Sequence, residues 1–284
     1  MSIANSAMLV ELNISVWGAT KLDRGASDEL TVNKGASSNA AQVRKNLMAG
    51  SGMRKEISDY ASKCRLFNNQ QTLAWSDKGV RLLPTKNFMH YKQTLNVMET
   101  HFNNLVNNFI LNYPTLIQQA QANLNTLFNA EDYPTVDEVK DKFAFKYVFS
   151  PVPVVGDFRI DVAAEELAEL SSKYEASFND RLNDAMKDQW TRLHDVLTHI
   201  SERLTETEGE EKGKRMHESM ITNAQSLCEL LTKLNVTNDP KLEEARRSLE
   251  LTLLGVDKDS LKESPALRES VKTKVDDILK RFDW

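Results

Sequence analysis

The sequence predicts an α+β protein that is mostly α-helical, with a long coiled-coil-like helical hairpin and a small antiparallel β-sheet. Three observations predict it. Apolar residues step by three or four from Glu165 to Thr207, over roughly ten helical turns. Near the start, and again between Phe143 and Val162, they alternate with period two instead. Gly- and Pro-containing breaks separate these stretches.

The strands come first. Leu12, Ile14 and Val16 alternate with Asn13, Ser15 and Trp17, so Leu9–Trp17 reads as a strand with one buried face, ended by Gly18. Asn39–Met48 and Met53–Phe67 read as helices broken at Gly50-Ser51-Gly52, and Leu73–Pro84 reads as a loop. Asn87–Asn112 forms a long helix with Leu95, Met98, Phe102, Leu105, Phe109 and Ile110 along one side. Tyr113-Pro114 is expected to break it, because the residue before a proline avoids the helical region, and Thr115–Phe128 follows as a second helix. Thr135 and Glu138 have the spacing of a capping box over a short acidic helix, Thr135–Lys142. Phe143–Phe149 and Asp157–Val162 read as two further strands from their alternation, and they are expected to join Leu9–Trp17 in one sheet.

The helical half follows. Leu167, Leu170, Tyr174, Phe178, Leu182, Ala185, Gln189, Leu193, Leu197, Ile200 and Leu204 form the long stripe. A charged, glycine-containing turn at Thr207–Lys214 lets Met216–Leu234 fold back on it. Lys241–Leu254 and Ala266–Phe282 are further helices. The expected organisation is a mixed α/β core over residues 1–162 with a basic segment at 43–92, a helical hairpin over 163–234, and C-terminal helices over 235–284.

Composition excludes several classes. The chain has 284 residues, and no window approaches the ~18 apolar residues of a membrane span. Met1–Trp17 lacks a basic region before an apolar one, so no secretory signal is expected there. Two isolated cysteines, Cys64 and Cys228, do not make a disulfide framework and fit a reducing cytoplasm. Phosphate-loop, dinucleotide-binding and serine-nucleophile motifs are lacking, and His194 and His199 fall on different helix faces. The sequence therefore points away from an enzyme, and no cofactor or metal is expected.

The formal charge of −5 hides an asymmetry. Between Val43 and Lys92 ten basic residues face three acidic ones, a balance of +7, whereas Gln93–Trp284 carries −11. The basic residues are Arg44, Lys45, Arg54, Lys55, Lys63, Arg65, Lys78, Arg81, Lys86 and Lys92. Tyr60, Phe67, Trp75, Phe88 and Tyr91 are interleaved with them. Single-stranded nucleic acid needs this combination, since cations track phosphates and flat rings stack on unpaired bases. The ten cations, with Trp75 and Tyr91 as stacking rings, are thus candidate nucleic-acid-binding residues. The other reading is a solvated basic face over core aromatics.

The blocks MLVELNISVWGATKLD, AWSDKGVRLLP, LFNAEDYPT, FSPVPVVGDFRID and LNVTNDPKLEE resemble, in order, an uncharacterised family of tailed-bacteriophage proteins, over most of Met8–Glu244. More loosely, the chain resembles the Drc-type single-stranded-DNA-binding cofactors of phage RNA polymerase. That resemblance implies a non-enzymatic protein that holds melted promoter DNA and recruits phage RNA polymerase in the cytoplasm of the infected bacterial host. It carries over no individual contact residues. The long stripe leads us to expect a homo-oligomer without membrane association. The alternative is a helical adaptor that docks a phage-encoded ATPase or polymerase without contacting DNA.

Overall fold

The computed structural model describes residues 6–76, 79–153, 164–205, 218–282 and 284. Within them the chain is α+β and mostly helical, with a four-stranded antiparallel sheet and a two-stranded ribbon. The chain forms two compact units, each assembled from separated segments. The first comprises Met1–Glu11, Asn69–Tyr91 and Phe149–Trp284, and the second Leu12–Asn68 and Lys92–Val148.

In the first unit, β1 (Ala7–Ser15) begins and pairs antiparallel with β5 (Val80–Pro84), from Ala7 opposite Pro84 to Glu11 opposite Val80. β4 (Leu73–Ala74) pairs with the other edge of β5, and the sheet order is β4-β5-β1-β6, where β6 is Ala144–Pro151. The expected strands at Leu9–Trp17 and Phe143–Phe149 are thus present, while the one at Asp157–Val162 lies outside the described residues. The expected loop Leu73–Pro84 is instead a β-hairpin. Gly79, at φ +87°, supplies the left-handed turn residue, and its N–H donates to the Ser76 carbonyl. The hairpin forms because Leu73, Leu82 and Leu83 are fully buried, and burying a large apolar side chain is worth ~1.5–3 kcal/mol.

The remainder of this unit is a helical bundle of α5 (Ala164–Leu204), α6 (Glu218–Leu234), α7 (Pro240–Thr252), α8 (Lys258–Glu263) and α9 (Pro265–Arg281). Leu193, Leu197, Ile200 and Leu204 of α5 share one core with Met220, Ile221, Cys228 and Leu231 of α6, and with Leu249 and Val275. The two long helices therefore pack together as the sequence predicts, and α9 also lies along α5. Leu167, Leu170, Tyr174, Phe178 and Leu182, in the first half of the stripe, are only partly covered, with Leu170 39% exposed. The expected turn at Thr207–Lys214 lies outside the described residues.

In the second unit, β2 (Thr20–Asp23) pairs antiparallel with β3 (Val43–Asn46), and α1 (Arg24–Asn33) connects them. The helix expected over Asn39–Met48 is not formed. β-branched Val43 suits a ribbon, its N–H is accepted by the Ser27 hydroxyl, and Lys45 gains carboxylate partners there. α2 (Met53–Gln71) begins in this unit, and Ile57, Ala61, Cys64 and Asn68 form its buried stripe. α3 (Phe88–Leu124) runs straight through Pro114, correcting the break expected at Tyr113-Pro114. Tyr113 is 1% exposed, its hydroxyl donates to the Pro134 carbonyl at 3.0 Å, and its ring meets Trp17 edge-on. Leu116 and Ala120 are buried one and two turns later. Packing on both sides of the proline outweighs its lost backbone bond. α4 (Val136–Lys140) carries the expected capping box, with the Glu138 carboxylate accepting from the Thr135 N–H at 2.8 Å.

Candidate nucleic-acid interface

The sequence-predicted cations and rings divide between the two units. Arg44, Lys45, Arg54, Lys55, Lys63, Arg65 and Lys92 belong to the second, and Trp75, Arg81, Lys86 and Tyr91 to the first. Lys78 lies outside the described residues. The eleven described residues therefore do not form one patch within either unit.

The two rings are corrected first. Trp75 is 5% exposed, packed edge-on against Phe178 at 5.2 Å in the core that also holds Leu73 and Leu82. Tyr91 is fully buried, and burial pushes its hydroxyl well above the ordinary tyrosine range. Neither ring presents a face to a base. Both are apolar payload for their own unit.

Four of the cations also have structural duties. Lys45, 9% exposed, sits between Asp23 at 3.2 Å and Asp132 at 2.6 Å and donates to the Leu127 carbonyl. Its pKa is raised, chiefly by the bond to Asp132. Arg81 donates to the Thr72 hydroxyl and to the Asn69 and Thr72 carbonyls, and burial pulls its pKa down. With Arg192, which reaches the Asn69, Gln70 and Thr72 carbonyls, it caps the C-terminal end of α2. Arg54 and Arg65 each donate to a backbone carbonyl, of Trp17 and Ile14, although Arg65 remains exposed. Arg44, Lys55, Lys63, Lys86 and Lys92 are exposed.

Two grooves in the second unit combine cations with accessible rings. One, about 430 Å³, lies where α2 faces α3 and is lined by Lys55, Glu56, Asp59, Tyr60, Lys63 and His101. The Tyr60 and His101 rings are 4.4 Å apart. Two carboxylates offset its two lysines, and Lys55 already pairs with Asp59 at 2.6 Å, although an exposed pair of this kind is worth little. Cys64 beneath it is an inert packing thiol, pushed by burial to about 11.

The second groove is larger, about 630 Å³, and more basic. The β2–β3 ribbon, the start of α1 and the segment after α3 build it, with Lys21, Arg24, Phe128 and Asn129 at its walls. The pleat explains the layout. Lys21 stands opposite Lys45 in the ribbon register and Leu22 opposite Arg44. In the Lys45–Asp23–Asp132 ion triplet two carboxylates more than offset the one ammonium, while Lys21 and Arg24 remain exposed. The Phe128 ring is half-buried and leans on Tyr133 at 5.3 Å. Here two cations flank a ring edge, which suits a phosphate beside an unpaired base. Lys21, Arg24 and Phe128 lie outside the basic run seen in the sequence. The pairing of Thr20–Asp23 with Val43–Asn46 brings Lys21 and Arg24 near it, and the segment after α3 adds Phe128.

Among the described residues no three His, Cys, Asp or Glu side chains gather in a metal-binding arrangement, and no helix is long and apolar enough to cross a membrane. No family model, curated protein or solved structure matches this chain.

Proposed function

We propose that the chain is a non-enzymatic single-stranded-DNA-binding protein and that the ribbon groove of the second unit is its contact surface. The observation that carries this reading is the exposed pair Lys21 and Arg24 beside the half-buried Phe128 ring in a groove of about 630 Å³. The phage resemblance supports a more specific role, in which the bound strand is melted promoter DNA and the protein recruits phage RNA polymerase.

A mobility shift with single-stranded and duplex oligonucleotides across a salt series tests it. Each lost phosphate contact flattens the salt slope by ~0.7 on single strands. Lys21→Ala with Arg24→Ala should weaken binding to every sequence and flatten the slope. Phe128→Leu, which keeps the packing but removes the ring, should erode the single-strand preference with little change in slope. Lys86→Ala, in the first unit, should leave both unchanged. Equal binding by wild type and the Lys21/Arg24 variant would remove this groove from the proposal.

One observation favours the adaptor reading. The first half of α5 leaves a partly covered apolar stripe, with Leu170 39% exposed. A phage polymerase subunit or ATPase recovered by pull-down after nuclease treatment, and lost with Leu170→Glu, would support that role.

A further inference from the structure

Between Glu99 and Glu131 the sequence contains no Asp, Glu, Lys or Arg, and most of this run lies in α3. The solvent side of the helix is therefore rich in amides rather than charges. Asn104 and Gln118 are exposed there. Two large apolar residues share that side, Val97 at 68% and Leu111 at 81% exposure. Val97, Asn104, Leu111 and Gln118 follow one another at seven-residue steps, which places them in one nearly straight seam. A helix that faces only water ordinarily presents charged side chains there.

We propose that this seam is a homodimer contact, in which α3 of one copy lies antiparallel on α3 of a second copy about a twofold axis at Leu111. Charge selects the occupant. Each copy carries a formal −5, so two copies repel, yet this seam brings no charge into the contact. Chemistry selects it as well. An amide both donates and accepts, so an amide seam is complementary to itself, as a twofold contact requires. The spacing sets the register. Asn104 is seven residues before Leu111 and Gln118 seven after, so the antiparallel arrangement opposes Leu111 to its own copy and Asn104 to Gln118 of the second copy. It also sets the two helix dipoles head to tail. The seam from Asn104 to Gln118 is about 21 Å long. That is short beside a stable dimer interface, so the dimer should assemble reversibly with concentration.

Sedimentation velocity of the full chain over a concentration series, joined to cysteine cross-linking, tests the contact. The native Cys64 and Cys228 are buried and give little background. The expected result is a concentration-dependent dimer that Leu111→Glu abolishes. Leu111 is solvent-exposed, and an unchanged circular dichroism spectrum would confirm that this variant folds. On mild oxidation Leu111→Cys should link into a disulfide dimer, whereas Asn104→Cys, with its two copies about 21 Å apart along the axis, should not. A monomer at every concentration would overturn the proposal. So would a dimer that Leu111→Glu leaves intact, which would put the contact on another surface. Cross-linking of Asn104→Cys as efficient as that of Leu111→Cys would overturn the antiparallel register.

Discussion

Lys45 shows how a residue that looks like part of a ligand surface can instead be spent on the fold. It is nearly buried between Asp23 and Asp132, and Lys45→Met would leave both carboxylates facing each other without a counter-charge. The expected cost is about 3 kcal/mol, read as a lower urea midpoint at unchanged slope. The raised lysine pKa means that this contribution is present below the ordinary lysine value of 10.5 and is lost as pH rises through the folded value. Glu243 has the opposite sign. Arg246 forms two bonds to its carboxylate, at 2.8 and 2.9 Å, and holds its pKa at about 2. Its contribution is present above the unfolded glutamate value, ~4.3, and is lost as pH falls toward 2. Urea midpoints measured between pH 5 and pH 2.5 should fall less steeply in Glu243→Gln than in wild type. The burial of Tyr91 is missed when the ring is read as a stacking platform, although the stripe of Leu95, Phe102 and Phe109 extends back to it by one four-residue step. Trp75 was not legible, since its burial follows from a hairpin that Ser76 and Gly79 disguise as a loop.

Elements with strong periodicity were legible, namely β1, the α5–α6 pair, α7 and α9. Those decided by long-range partners were not. β3 is four residues long and exists as a strand because β2, some twenty residues earlier, offers it an edge. Pro114 is the clearest conflict between local preference and packing. Proline costs ~3 kcal/mol in a helix interior, and α3 tolerates it because Tyr113, Leu116 and Ala120 are buried around it. Pro114→Ala should therefore stabilise the protein, by about 1–3 kcal/mol, visible as a higher midpoint in thermal or urea unfolding. At the end of α2, Arg81→Met should leave the Asn69 and Thr72 carbonyls with fewer donors. The expected outcome is faster amide hydrogen exchange over the last turn of α2, with exchange in α9 unchanged.

Over the whole molecule, charge follows the units. The second unit holds 13 basic and 11 acidic residues, a balance of +2, and the first holds 23 and 30, a balance of −7. The sequence showed the asymmetry but drew its border at Lys92, whereas the units interleave along the chain. Lysine footprinting by acetylation and mass spectrometry, with and without a single-stranded oligonucleotide, should show protection at Lys21 and little at Lys86 or Lys272. The same interleaving governs how the chain can acquire its structure as it leaves the ribosome. The second unit is complete once Val148 has emerged, whereas the first needs Phe149–Trp284 to join segments made long before. Until then Ala7, Leu9, Leu73 and Leu82 wait for Ala185 and Leu234, their companions in the finished core. Contacts between residues so far apart in sequence close slowly. A nascent chain stalled shortly after Val148 should therefore already resist protease across its second unit, while the apolar hairpin that belongs to the first remains open to cleavage and to chaperones.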